Sequence, residues 1–258
     1  MTHRSTLRSW FASHCVPALF ETAARYHYRR LAGELERELP TLVSMVCPGT
    51  VAFDIGANIG LYAYALARVG ARVHSVEPLP QCHRALFGLA RLMPSVSVHS
   101  MALGDRDGQL VLYIPVRGGR PETSESSARP GGGPHECVDV PVTTLDSLAA
   151  RVLGPGDVVS VIKIDVEGHE DAVLDGGAGT LRRFHPVVLV EVEARHRANA
   201  VEECFRRLVG LGYVGRWLDA ERHWRALSAF DVERDQVPFE PNDRRYVNMF
   251  FFERSDRP

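Results

Sequence analysis

From Thr50 onward, apolar residues come in short unbroken runs, each closed by glycine or a polar break and then followed by an apolar stripe at helical spacing. TVAFDI, ARVHSVE, SVSVHSMAL, DVVSVIKID, HPVVLVEVE and YVNMFFFE read as strands. GLYAYALARVG, ended by Gly70, LPQCHRALFGLARLM, stopped by Pro94, HEDAVLDGGAGTLRR and NAVEECFRRLVGL read as helices. Strands that are apolar on both faces and alternate with helices predict βαβ units. The expected fold is α/β, a doubly wound and mostly parallel sheet. GQLVLYIPV and ECVDVPVTTL interrupt this order as hairpin-like strands, and no internal repeat is present.

Two stretches lie outside that alternation. Residues 1–47 place Trp10, Phe11, Leu19, Phe20, Tyr26, Tyr28, Leu31, Leu35 and Leu39 among arginines and glutamates, which predicts one or two amphipathic helices ended by Pro48-Gly49. This helical extension packs on a main domain over 48–258, or serves as a lid or a homodimer surface. The second stretch, the loop at 117–136, is rich in Gly, Pro and Ser. A loop of that length is either disordered or a flap over a site.

Composition narrows the class. With 258 residues, a formal charge of -2 and a pI near 6.6, the chain has the size of one large domain and lacks the basic excess of a general nucleic-acid binder. Its five cysteines are scattered without a CxxC pair, the pattern of reduced thiols in a cytoplasmic protein. No run reaches the ~18 apolar residues of a membrane span, and richness in arginine and alanine points to a GC-rich bacterial genome. Lys163 is the only lysine.

The first strand ends in a loop, Asp54-Ile55-Gly56-Ala57-Asn58-Ile59-Gly60, at the carboxyl end of a parallel strand, where open α/β sheets bind ligands. Its glycines allow close backbone approach, and the start of the next helix offers N–H groups to an anion. Glu77 ends the second strand, where an acid accepts hydrogen bonds from ribose hydroxyls. Loop and acid together indicate an adenosine-containing cofactor. The dinucleotide fingerprint GxGxxG is one reading. This loop is DxGxNxG, however, and an aspartate before the first glycine repels a pyrophosphate but suits the positive end of S-adenosylmethionine. A Gly-rich turn that holds nothing is the third possibility.

DIGANIGLYAYALA, VEPLPQ, ALGDRDGQL, VPVTTLDSL, IKIDVEGHEDAVLDG and VVLVEVEARH follow, in order and spacing, the pattern of the FkbM family of S-adenosylmethionine-dependent methyltransferases. The resemblance covers about Val51 to His196, with a weaker echo at YVNMFFFE. It implies a class I, Rossmann-like methyltransferase domain. It also implies that Asp54, Gly56, Asn58 and Gly60 form the methionine-side loop, that Glu77 is the ribose acid and that Asp105 contacts the adenine. Read on its own, Gly104-Asp105-Arg106-Asp107-Gly108 is equally a plain turn. Members of the family methylate hydroxyls of polyketide-type natural products, sugars and glycolipids, which implies a small-molecule hydroxyl acceptor.

VIKIDVEGHEDAVL carries the candidate chemistry. Asp165 ends a strand, and Glu167 and His169 follow in the turn, so all three are expected beside the cofactor. Methyl transfer to an alcohol needs alignment and a proton acceptor; His169, kept neutral at a helix N-terminus, is the base candidate. It is equally readable as a capping or packing histidine. His196 and Glu193 are second-choice substrate contacts, and Lys163 is expected buried against a carboxylate. HEDAV is not a zinc-protease HExxH, because position 173 is Val. Asp165 with Glu191 or Glu193 could hold Mg²⁺, but the same acids could hold substrate hydroxyls or arginines, and no residue is assigned to a metal. The competing functions are an NAD-dependent oxidoreductase, which lacks the third glycine spacing and a TyrxxxLys pair, and a non-catalytic cofactor-binding protein.

Overall fold

The computed structural model describes residues 18–122, 126–128, 130, 133–197, 199–241 and 243–254. Its frame is an eight-stranded sheet in the order β11-β10-β12-β9-β8-β1-β2-β3. The strands are β1 (Val51–Ile55), β2 (Arg72–Val76), β3 (Val96–His99), β8 (Val159–Ile164), β9 (Val187–Glu191), β10 (Tyr213–Leu218), β11 (Trp224–Ala226) and β12 (Met249–Arg254). Pairing is parallel from β9 through β8 and β1 to β3, and antiparallel through β12, β10 and β11. The strand order reverses between β1 and β8, so the crevice at their carboxyl ends is the place where such a sheet binds ligands. Every residue of β1 and β8 is buried, as strands covered on both faces must be.

A smaller sheet, in the order β4-β7-β5-β6, stands over this end of the main one. It contains β4 (Ala102–Leu103), β5 (Gly108–Arg117), β6 (Arg120–Pro121) and β7 (His135–Thr143), the long β5–β7 pair being the hairpin that the sequence predicts. Its loop folds back on the hairpin. Tyr113 N–H donates to Ser127 O (2.8 Å), and Ser127 N–H returns the bond to Tyr113 O (3.0 Å).

The helices depart from the sequence pattern in two places. The strand expected to run to Leu145 ends at Thr143, and Thr144-Leu145 instead open a helix, Leu145–Val152, because Thr144 Oγ1 accepts from Ser147 N–H (3.0 Å) and caps it. HEDAVLDGGAGTLRR forms two helices, Glu170–Gly176 and Ala178–Phe184, broken at Gly177. Gly176 has no side chain because Gly104 O would lie 2.0 Å from its Cβ. Strands β10 and β11 were not expected; β10 extends the sheet as the antiparallel partner of β12.

At the amino end, α1 (Glu21–Ala32) and α2 (Glu38–Ser44) pack on the sheet domain through α3 (Leu61–Arg68) and α4 (Pro80–Leu92). The expected Trp10 and Phe11 lie outside the described residues. Leu39 and Leu42 of α2 share one apolar cluster with Leu66, Val161 and Phe251. Thr22 Oγ1 donates to Ile59 O (2.7 Å), which ties α1 to the glycine-rich loop, and Arg37 donates to Arg244 O (2.7 Å) and Tyr246 O (2.9 Å). Among the described residues, no helix is long and apolar enough to cross a membrane and the cysteines Cys47, Cys82, Cys137 and Cys204 are unpaired.

The approach of the N-terminal segment to α4 depends on Gly88, whose Cβ would lie 1.9 Å from Ala18 O. Gly88→Ala is expected to lower stability to urea by about 1–3 kcal/mol, the usual cost of forcing extra volume into a packed contact. Gly210→Ala, at a helical position with nothing within 4 Å, is expected to leave stability unchanged or slightly raised.

Candidate active site

The crevice between β1 and β8 is built by two turns that touch. In the first, Gly56 has φ +73° and its missing Cβ makes room for Asp165 O, which would otherwise stand 1.7 Å away. Asn58 also takes a left-handed conformation, φ 49°, and Gly60 starts α3 at φ +83° beneath Leu86 and Leu89. In the second turn Glu167 is left-handed at φ 50°, an uncommon state for a glutamate and one that concentrates at functional sites. Lys163 joins the two turns. It is buried, donates to Gly56 O (2.8 Å), pairs with Asp165 Oδ2 (2.9 Å) and faces Asp54 Oδ1 at 3.7 Å. Burial opposes its charge, but the two aspartates overcome that penalty and raise its pKa.

These turns, with the ends of β2 and β4, line an open cleft of about 670 Å³ counted together with the solvent at its mouth. Gly56 and Asn58 line one part of it, Glu77 and Pro78 another, and Met101, Ala102, Leu103, Leu110 and Leu112 form an apolar slot. Asp165, Glu167 and His169 close the remaining side, and Ser126 and Ala128 of the long loop cover it. That loop is anchored there, since Ser127 Oγ donates to Glu167 O (2.8 Å). Of the segment 117–136, Ser126 and Ala128 thus contribute to the wall of this cleft.

Glu77 Oε2 accepts from Asn58 N–H (2.8 Å) and Oε1 from Leu79 N–H (2.9 Å), so the acid also fixes the loop it faces. Burial raises its pKa against those two bonds. Two of the expected cofactor contacts need correction. Asp54 is fully buried behind the loop: Oδ2 accepts from Ala63 N–H (3.0 Å) at the start of α3, and the side chain does not line the cleft. It holds the loop's shape instead of meeting a ligand charge directly. Asp105 is half exposed, pairs with Arg106 at 3.5 Å and lies outside the cleft. The two-residue β4 ends before it, so the plain-turn reading stands, and Met101 to Leu103 occupy the slot.

On its other side Glu167 forms the wall of a second, polar cleft of about 1480 Å³, lined also by Glu36, Glu191, Glu193, Arg195, Tyr246 and Asn248. His196 Nε2 lies 2.9 Å from Glu167 Oε2 and 3.3 Å from Glu193 Oε2. Burial disfavours the imidazolium, but the hydrogen bonds to Glu167 and Glu193 outweigh it and push the His196 pKa up to about 9. His196 is thus a cation near neutral pH. Asn248 Nδ2 donates to Glu191 and Glu193, and Arg195 Nε donates to Glu193. Burial opposes ionisation of Glu193, yet His196, Arg195 and Asn248 hold its pKa down to about 2. Burial and the surrounding carboxylates raise that of Glu191. Asp165, weighed with Glu191 or Glu193 as an Mg²⁺ set but not assigned to a metal, is engaged by Lys163; the side chains that converge are Glu167, Glu193 and His196.

Residues 54–222 match the Methyltransferase FkbM domain. The chain belongs to the FkbM methyltransferase family. A relative, 31-O-demethyl-FK506 methyltransferase FkbM of Streptomyces tacrolimicus, is 30% identical over 155 residues, covering 50% of this chain and 60% of that protein. The crystal structure of methyltransferase FkbM from Methylobacillus flagellatus KT superposes with a TM-score of 0.52 at 18% identity, covering 91% of this chain and 52% of the other. The O-methyltransferase of Bacillus cereus is a looser likeness, with a TM-score of 0.48, 13% identity and 96% coverage of both chains. This chain thus spans between half and two thirds of the first two relatives.

The fold is that of class I methyltransferases, and family membership decides the cofactor class for S-adenosylmethionine over a dinucleotide. The FkbM site fits that cofactor: Glu77 suits its ribose, the apolar slot its flat base, and the Gly56–Asn58 backbone its amino-acid end. One contributor lies outside the sequence reading. Glu170 is 4% exposed and its Oε1 accepts from Gly168 N–H (2.8 Å), which pins the turn after β8.

Gly56→Ala is expected to weaken S-adenosylhomocysteine binding ~10–100-fold in calorimetric titration, because relieving a backbone clash costs about 1–3 kcal/mol of loop geometry. A pH effect follows from Glu170, whose pKa burial pushes up from 4.5 to about 7. Between those values the unfolded chain has released a proton that the folded one retains, so stability falls as pH rises through that window. Glu170→Gln keeps an acceptor for Gly168 N–H and removes the ionisation. It is expected to match wild type near pH 4.5 and exceed it at pH 8 by up to roughly 3 kcal/mol in urea unfolding.

Proposed function

We propose that this protein transfers a methyl group from S-adenosylmethionine to a hydroxyl oxygen of a small molecule, a polyketide-type natural product or a sugar or glycolipid. The observation that carries the reading is the position of Glu167, on the wall of both the cofactor cleft and the polar cleft. An acceptor seated among Glu36, Glu191, Asn248 and Tyr246 would present a hydroxyl across that wall. The Streptomyces relative, by its name a 31-O-demethyl-FK506 methyltransferase, supports an oxygen acceptor and a natural product.

The bound cofactor supplies an electrophilic methyl group on a sulfonium. The chain's part is alignment and proton transfer. Gly56, Asn58 and Gly60 shape the loop, Asp54 and Lys163 brace it from behind, and Glu77 holds the ribose end. Glu167 faces the acceptor, and Asp165, paired with Lys163, lines the cofactor cleft beside it. His169 lines the cofactor cleft at the start of its helix and is the group we assign to accept the hydroxyl proton. His196, being cationic, acts as a hydrogen-bond donor and not as a base.

The test is transfer from methyl-labelled S-adenosylmethionine to a panel of sugars, glycolipids and polyketide alcohols, with the product read by NMR. A methoxy resonance is expected, and an N-methylated product would overturn the oxygen acceptor. With an acceptor in hand, His169→Ala should lower kcat about 10²–10⁴-fold while S-adenosylhomocysteine affinity stays near wild type. An unchanged kcat would remove His169 from the role of base.

A further inference from the structure

Glu167, Glu193 and His196 meet in a way that methyl transfer does not require. One ligand atom from each lies within 4.8 Å of the others, and His196 Nε2 stands 2.9 Å from Glu167 and 3.3 Å from Glu193. Donors at adjacent corners of an octahedron, bound at about 2.1 Å, are separated by about 3 Å. The two spacings from His196 that now accommodate a shared proton are therefore also those of adjacent corners of a coordination shell.

The three side chains are held from behind, as ligands of a preorganised site are. Glu167 is fixed by its left-handed backbone and by Ser127 Oγ on its carbonyl. Glu193, buried, is fixed by Asn248 Nδ2 at 2.9 Å. His196 packs on Gly168, whose Cβ would lie 2.9 Å from the histidine Cβ.

We propose that Glu167, Glu193 and His196 form a divalent-cation site in the wall between the cofactor cleft and the polar cleft. Two carboxylates and one imidazole give a mixed oxygen and nitrogen donor set. That set suits Mn²⁺ or Zn²⁺ better than Mg²⁺, which prefers oxygen and water alone. Without a metal, the carboxylates are balanced by the His196 proton and by Arg195, whose Nε donates to Glu193 and whose Nη2 lies 3.6 Å from Glu167. The Arg195 side chain is 40% exposed, and it would have to give up both carboxylates for an ion to take its place. Metal binding exchanges those positive charges for one ion. Three protein donors leave positions for water or for an acceptor oxygen, whose pKa the ion would lower. That role rests on the methyl-transfer reading; the site itself rests on the three side chains.

The experiment is titration of the EDTA-stripped full-length protein with MnCl₂, free Mn²⁺ being read by electron paramagnetic resonance. One saturable site per chain is expected, weakened about tenfold or more by Glu193→Gln and by His196→Gln. Arg195→Gln, which removes the competing cation, should bind Mn²⁺ more tightly than wild type. No saturable binding by wild type, or binding that survives both ligand substitutions, would overturn the proposal. S-adenosylhomocysteine titration of the same samples reports the cofactor reading separately, and a variant that keeps that affinity is folded, so its loss of Mn²⁺ is loss of the site.

Discussion

A buried lysine holds this site together. Lys163 is 3% exposed, and placing an ammonium in a protein interior is costly unless partners compensate it. Asp165, Asp54 and the Gly56 carbonyl provide that compensation, and in doing so they lock the end of β8 to the loop after β1. The lock works only at the separation that glycine permits, because any Cβ at position 56 would strike Asp165 O. Charge pairing and close backbone approach thus enforce one geometry together. The glycine-rich loop after β1 and the turn after β8 are tied to each other through one side chain.

The turn from Asp165 to Glu170 distributes its side chains in different directions from one short span. Asp165 turns back to Lys163, Glu167 reaches across to His196, and His169 lines the cofactor cleft. Glu170 bonds to the N–H of Gly168 and fixes the turn from within. A left-handed Glu167 followed by Gly168 at φ 91° makes this divergence possible, since two ordinary strand residues would point to opposite faces only. The strained residue is therefore the one shared by the two clefts, and its conformation decides which carboxylate separates them.

Much of this was legible in the chain because the signals are local. An unbroken apolar run into DIGANIG fixes a buried strand and its turn, Glu77 sits at a set distance beyond it, and a lone lysine between β-branched residues has to be buried and paired. The misreadings come from contacts that sequence spacing does not carry. Asp54 and Asp105 have the residue types of ligand-binding acids, but one is aimed at the amide of Ala63 and the other leaves the cleft because β4 is only two residues long. Thr144 and Leu145 were taken for the end of a strand because Thr144, the cap of the helix Leu145–Val152, follows directly on Val142 and Thr143. Strand β10 was missed because Gly215 and Arg216 interrupt its apolar run, so no local strand pattern marks it.

The same distinction separates chemistry from selectivity. The FkbM match runs from 54 to 222 and includes both turns, Lys163, Glu77 and the Glu167–Glu193–His196 grouping. Several residues of the polar cleft lie beyond it: Glu36 and Arg37 come from the link between α1 and α2, and Tyr246 and Asn248 precede β12. Arg37 bonds the carbonyls of Arg244 and Tyr246, so these two distant segments form one rim. That rim is not electrically separate from the lysine lock beneath it: Glu36 helps to hold Lys163 charged, and Glu191 feels both Asp165 and Lys163. A change of charge on the rim would therefore reach the buried lysine even where no hydrogen bond joins them.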